Sequence, residues 1–167
     1  MKIEIVKMFL PIMICLNLSS CVPPAITTNA NPNYNKAKIK SITVLDISEP
    51  QNIFADILAT EMLGLGYKLI ERSQLNKLLS EQKLSLGGIL KNQDYYKIGE
   101  ITNIDAIVLV SAKIEKNMIM YAVVKMIDIS TGEVICSTNY ERRDNYTFIN
   151  TVAKHIVKDI SSKLLSQ

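Results

Sequence analysis

Two rhythms of apolar residues run through residues 38–167. "IKSITVLDI" (39–47) is rich in β-branched residues and reads as a strand. Ile53, Phe54, Ile57, Leu58 and Met62 then recur at helical spacing, a helix that Pro50 can open and "GLG" (64–66) closes. "YKLIE" (67–71) is a short strand. Ser73 is a candidate N-cap for a second helix with Leu75, Leu78 and Leu79 on one face. "LGG" (86–88) breaks the chain, and Asp94 to Thr102 reads as a short helix running into the turn-like "TNID". "AIVLV" (106–110) is continuously apolar, as a strand covered on both faces must be. "MIMYAVVKMIDI" (118–129), "STGE" (130–133) and "VICSTNYE" (134–141) spell strand, turn and strand. Ile149, Val152, Ile156, Ile160 and Leu164 make a final amphipathic helix. Such alternation predicts an α/β fold: a small mixed β-sheet of about four to five strands with packed helices.

The first residues follow a different logic. Lys2 and Lys7 outweigh Glu4, Met8 to Leu18 is almost wholly apolar, and small residues precede Cys21, the layout of a secretory signal. The apolar run is too short for a membrane span of about 20 residues, and Pro11 interrupts it. An ordinary signal also places small residues before its cut. "LSSC" (18–21), however, resembles the bacterial lipobox, which implies that Cys21 receives a diacylglycerol and becomes the first residue of the mature chain. Each buried methylene contributes about 0.8 kcal/mol, so two or three acyl chains anchor where one would not. The expected organisation is a signal peptide at 1–20, the lipidated cysteine and a flexible tether at 21–37, and one folded domain at 38–167. The tether is read from "VPPAITTNANPNYNKA" (22–37), rich in Pro, Asn, Thr and Ala and without periodicity. It is expected to hold the domain away from the membrane.

Composition narrows the chemistry. A net charge of +3 with no dense Lys/Arg stripe gives no support to nucleic-acid binding. Of the three cysteines, Cys15 leaves with the signal and Cys136 sits in an apolar strand as a small core residue, so neither a disulfide framework nor a Cys/His metal spacing is expected. His155 is the only histidine and shares a helix face with Thr151, Lys158 and Asp159, a solvated surface. No serine lies in a nucleophile elbow, and the glycines lack phosphate-loop spacing. Asp46, Asp105 and Asp128 fall at strand ends, where turns use carboxylates. Met118, Met120 and Met126 read as one core-facing strand side. No catalytic residue, metal site or cofactor is expected, and the chain reads as a non-enzyme. Arg142 and Arg143, adjacent on the exit of the last hairpin, have two readings: a solvated loop or a partner-binding site.

"LIERSQLNKLLSEQKLSLGGI" (69–89), "IGEITNIDAIVLVSAKI" (98–114) and "KMIDISTGEVICST" (125–138) together resemble the curli-assembly-component family of bacterial lipoproteins. Flagellar outer-membrane lipoproteins and lipoprotein activators of peptidoglycan synthases are related groups. The "ER" then "EQ" helix, the "IG…DA" step and the "TGE" hairpin occur in the family's order. The resemblance implies a lipid-anchored module of the cell envelope that binds or assembles rather than catalyses. Its domain would face the periplasm from the outer membrane, since Val22 rather than an aspartate follows Cys21. The implied partners are the membrane, through the acyl chains, and an envelope protein, with self-association left open. Two alternatives come with the family: a subunit of a curli-type secretion pore, and an activator of peptidoglycan synthesis. Exporters of the family carry two long insertions that become transmembrane hairpins. Here only Glu115 to Asn117 and Arg142 to Tyr146 occupy those places, whereas a spanning hairpin needs about 20 residues.

Cys21→Ala is expected to leave uncleaved precursor and to abolish incorporation of labelled fatty acid in cells. Undiminished labelling of the variant would rule out acylation at Cys21.

Overall fold

The computed structural model describes residues 25–48, 53–92, 94–142 and 148–165. The strands are β1 Ala25–Ala30, β2 Ser41–Asp46, β3 Lys68–Leu69, β4 Ala106–Glu115, β5 Met118–Asp128 and β6 Val134–Glu141. The helices are α1 Ile53–Leu63, α2 Arg72–Glu81, α3 Leu86–Asn92, α4 Tyr96–Thr102 and α5 Ile149–Leu165. All six strands form one sheet in the order β1-β6-β5-β4-β2-β3. β2 is parallel to both β3 and β4, and the remaining pairs are antiparallel. The α/β class with a mixed sheet therefore holds, with six strands rather than four to five.

β4 is the centre of the architecture. Ala106 to Val110 is buried without interruption, and alternate residues face opposite sides. Ala106, Val108, Val110 and Ala112 join a core with α1 and α5, which pack on one face of the sheet. Ile107 and Leu109 join a second core with Leu75 and Leu79 of α2, Leu86 and Ile89 of α3, and Ile98 of α4. α5 meets the first core through Val152, Ala153, Ile156, Val157, Ile160 and Leu164, the three-to-four spacing that an amphipathic helix requires.

The expected tether is corrected by the structure. Residues 25–30 form an edge strand, antiparallel to β6, so the sheet already includes Ala25, ahead of the expected start at residue 38. An antiparallel edge strand needs only one apolar face. Ile26 and Ala30 pack on the first core, and the buried hydroxyl of Thr28 is satisfied 2.9 Å from Thr138 Oγ1. Three inward residues, one of them a threonine, carry too weak a pattern to stand out among prolines and asparagines. Cys21 and the signal region lie outside the described residues.

Smaller corrections share one cause, tertiary contact overriding local signals. "LGG" opens α3 instead of ending a helix, with Ser85 Oγ accepting from the Gly88 N–H at 3.1 Å. α2 starts at Arg72, and its N-cap is Glu71 rather than Ser73. The strand at 67–71 shrinks to two residues. A register shift between Lys113 and Ile114 opposes Ile114 to Ile119 and Lys113 to Tyr121, leaving Met120 as the extra residue. The three methionines therefore do not line one core face: Met126 is buried, while Met118 and Met120 are half-buried.

Gly99 lets α4 approach the β5–β6 connection closely, as a Cβ there would overlap the Ile129 Cγ2 methyl. Gly99→Ala gains up to about 1 kcal/mol of helix propensity, but overpacking costs about 1–3 kcal/mol. We expect a net loss of stability in urea unfolding, reduced when Ile129→Ala is combined with it.

Candidate functional site

β2, β4 and β6 run upward in the sheet, and β1 and β5 run downward, so the sheet has two chemically distinct ends. The lower end is closed by residues 31–40, which cross from the bottom of β1 to the bottom of β2. Two carboxylates pin this strap. Tyr34 Oη donates to Asp128 Oδ2 at 2.5 Å. Asp105 Oδ2 accepts from the N–H groups of Lys40 and Ser41, both at 2.8 Å. Asp128 Oδ1 also accepts from the N–H groups of Ser130 and Thr131, at 2.7 and 3.1 Å, ordering the turn that leads to β6. Burial alone pushes both carboxyls up, but these donors outweigh it and hold Asp105 and Asp128 below the usual carboxylate range. Burial, then the hydrogen bond and charge of Asp128, raise the Tyr34 phenol above its ordinary value. A cavity of about 590 Å³ lies between the strap and α4, lined by Tyr34, Lys38, Tyr96, Glu100, Asp105 and Asp128. Its two carboxylates, buried Asp128 and half-buried Asp105, hold backbone in place.

The upper end carries a crevice. β2 leads to α1 on one face and the adjacent parallel β3 leads to α2 on the other, a topological switch of the kind at which open α/β sheets place ligands. The cleft is about 450 Å³ and its charged lining is Asp46, Asp56, Glu71 and Arg72. Asp46 Oδ1 accepts from the Ser48 N–H at 2.7 Å and from its hydroxyl at 2.8 Å, and Ser48 Oγ in turn accepts from the Ala112 N–H of β4 at 3.2 Å. That carboxylate thus fastens the loop to the sheet, and Asp46, Asp105 and Asp128 all do the turn-ordering work expected of strand-end aspartates. Among the described residues no group of three or more His, Cys, Asp or Glu side chains could hold a metal.

The sheet itself also presents an open surface. α1 and α5 cover one face, but on the other α2, α3 and α4 pack over β2, β4 and the lower part of β5 only. Thr27, Asn29, Tyr121, Lys125, Asn139 and Glu141 are left exposed across β1, β6 and β5. The Asn31 N–H donates to Ile135 O at 2.8 Å, so the alternate residues Ile26, Thr28 and Ala30 direct their N–H and C=O groups away from β6. β1 ends the sheet order, and these groups form its outer edge.

Of the residues singled out in the sequence, Arg142 is placed at the upper end beside β5. Its N–H donates to Met120 O at 3.0 Å and its Nη1 to Met120 Sδ at 3.2 Å, so it extends the sheet instead of projecting from a loop. Arg143 and Cys21 lie outside the described residues. His155 is exposed on α5. Cys136 is buried, and desolvation pushes its thiol up to about 12, far from a reactive thiolate. The sequence reading missed the strap. Its signals were Tyr34, the lone aromatic in a polar run, and Asp105 directly before a buried strand.

The family described as curli production assembly/transport component CsgG matches residues 25–117. No curated protein matches the chain. Among solved structures, a variant of the PelC dodecamer from Paraburkholderia phytofirmans superposes with a TM-score of 0.52 at 12% identity, covering 87% of this chain and 100% of that one. The PelC dodecamer in a second crystal form gives 0.51 at 12% identity, covering 85% and 97%. Lipoprotein GNA1162 from Neisseria meningitidis gives 0.49 at 14% identity, covering 77% and 98%.

The strap makes stability pH-dependent at both extremes. Depressed folded pKa values add stability above the unfolded carboxylate value, near pH 4, and lose it as pH falls through the folded values. A raised tyrosine pKa adds stability below about pH 10 and loses it as pH climbs toward the folded value. Asp128→Asn is expected to cost about 1–3 kcal/mol at neutral pH and to flatten the acid limb of the denaturation profile, while Tyr34→Phe flattens the alkaline one.

Proposed function

Because the chain belongs to the curli production assembly/transport component family, we propose that it is a lipid-anchored, non-catalytic binding module of the bacterial cell envelope. Acyl chains on Cys21 hold it to the outer membrane with its domain on the periplasmic side, and the open half of the sheet receives a protein partner. The observation that carries this reading is the uncovered face of β1, β6 and β5 together with the outward main-chain groups of Ile26, Thr28 and Ala30. An exposed strand edge is a ready template for another chain, with main-chain hydrogen bonds supplying affinity and alternate side chains selectivity. The face is polar rather than apolar, which suits a partner that joins and leaves. The dodecamer of PelC supports a second copy of the chain as one such partner.

The channel-free form of the reading rests on how β4 and β5 are used. They meet through Lys116 and Asn117 alone, both at positive φ of 49° and 63°, the two-residue hairpin turn that suits twisted strands. Both strands are paired within the sheet, and residues 106–110 with Ala122, Val124, Met126 and Ile127 supply its cores. Drawing them into a bilayer would dismantle the domain. No helix among the described residues is long and apolar enough to cross a membrane.

Photocrosslinking side chains placed at Asn29 and Asn139 in living cells are expected to capture protein, while one at Lys77 on exposed α2 is not. The mass of the adduct distinguishes a second copy from another envelope protein. Capture at Lys77 alone would overturn the site, and stable conducting channels from the purified lipidated protein would restore the exporter.

A further inference from the structure

The position of β1 fixes how far the domain can stand from its anchor. Only Val22, Pro23 and Pro24 separate Cys21 from the first residue of the sheet. Four peptide steps span at most about 14 Å when fully extended. Ala25 enters at the upper end of the sheet, in one row with Glu141, Tyr121 and Lys113. The β4–β5 hairpin continues past that row: Glu115, paired with Met118, lies two residues beyond Lys113, roughly 7 Å at the rise of a strand, and the Lys116–Asn117 turn stands beyond it. The leash and the hairpin are thus of similar height. A folded partner of 100 residues, with a radius of gyration of about 13 Å, does not fit between the upper end and the membrane.

The residues at that end suit a lipid surface. Phe148 is 65% exposed and Tyr121 49% exposed. Phe148 pairs with Met118 in an isolated antiparallel bridge, and directly opposed residues share a face, so an aromatic ring and a half-buried thioether stand together at the rim. Lys116 is exposed at the turn, and Lys113 is paired with Glu115 at 2.9 Å beside it. Aromatic rings with polar neighbours are the composition favoured at headgroup depth, and an unpaired basic residue beside them is attracted to an anionic surface.

We propose that the upper rim, formed by the Lys116–Asn117 turn with Met118, Tyr121 and Phe148, is a membrane-docking surface seated on the bilayer that holds the Cys21 acyl chains. This rests on the lipid-anchored reading above. Docking orients the domain: β1 descends away from the membrane, its free edge runs along the bilayer normal, and the strap and lower cavity face the aqueous space. The short leash thereby presents the partner-binding face in one orientation.

The chain contains no tryptophan, so a single introduced indole reports its own surroundings. The full-length protein, purified from bacterial membranes as Phe148→Trp, is reconstituted in phosphatidylethanolamine–phosphatidylglycerol vesicles with brominated acyl chains. Tyr96→Trp, at the exposed start of α4 on the lower end, is the companion variant. The mass of the N-terminal peptide reports acylation in the same sample. The proposal expects acylated protein in which the Phe148→Trp emission is blue-shifted and quenched by bromine and the Tyr96→Trp emission is neither; Tyr121→Trp should behave as Phe148→Trp does. Acylated, vesicle-bound protein with an unquenched rim, or with both ends quenched alike, overturns the docking and leaves the anchor standing. Protein without acyl chains overturns the anchor, and the docking with it.

Discussion

A strand that meets water on neither face must be matched on both faces and both edges, and β4 imposes that demand here. Ala106 to Val110 sends alternate side chains into two separate cores, so helices are required above and below it. Its edges are taken by parallel β2 on one side and antiparallel β5 on the other. The parallel neighbour needs a long crossover, and α2, α3 and α4 supply it while covering one face. The antiparallel neighbour needs only a two-residue turn. The asymmetry follows: the half of the sheet built by crossovers is covered on both faces, and the half built by hairpins is covered only by α5 and α1.

The same asymmetry separates structural from exposed chemistry. At the lower end the charged and polar groups are consumed by the fold. Asp105 and Asp128 are held ionised by donors from Ser41, Lys40, Ser130, Thr131 and Tyr34, and a carboxylate so satisfied holds backbone in place. On the open face of β1, β6 and β5 the side chains of Thr27, Asn29, Tyr121, Lys125, Asn139 and Glu141 are exposed. A family whose members assemble or transport in the envelope has use for a fixed scaffold with one free face, and a strand edge offers affinity with no catalytic group.

β1 links these two halves. It closes the first core through Ile26, Thr28 and Ala30, and it leaves their main-chain groups directed outward. It also takes up residues 25–30 of the segment that composition assigns to a spacer. A chain that pairs with β6 from residue 25 leaves Cys21 and the sheet only a few residues apart in sequence, so the acyl anchor proposed there would be mechanically coupled to the fold.

Periodicity sufficed wherever an element buries a broad apolar surface. The buried run at 106–110, the hairpin around "STGE" and the stripe from Ile149 to Leu164 appear in the structure nearly as the sequence spells them. These features are local: a strand buried on both faces or a helix with one dry stripe writes its whole environment into its own residues. The sequence also identified the family, through motifs spread over most of the folded part. Only the tertiary structure decided the rest. β1 became a strand because β6 offered an unpaired edge and Thr138 a partner for a buried hydroxyl, neither visible in "AITTNA". The strap depends on Tyr34 meeting Asp128 across 94 intervening steps of chain, and the open face depends on which strands the crossover helices fail to reach. Long-range pairing is a property of where segments meet, and a one-dimensional pattern of apolar and polar residues carries each segment's demand but not its partner.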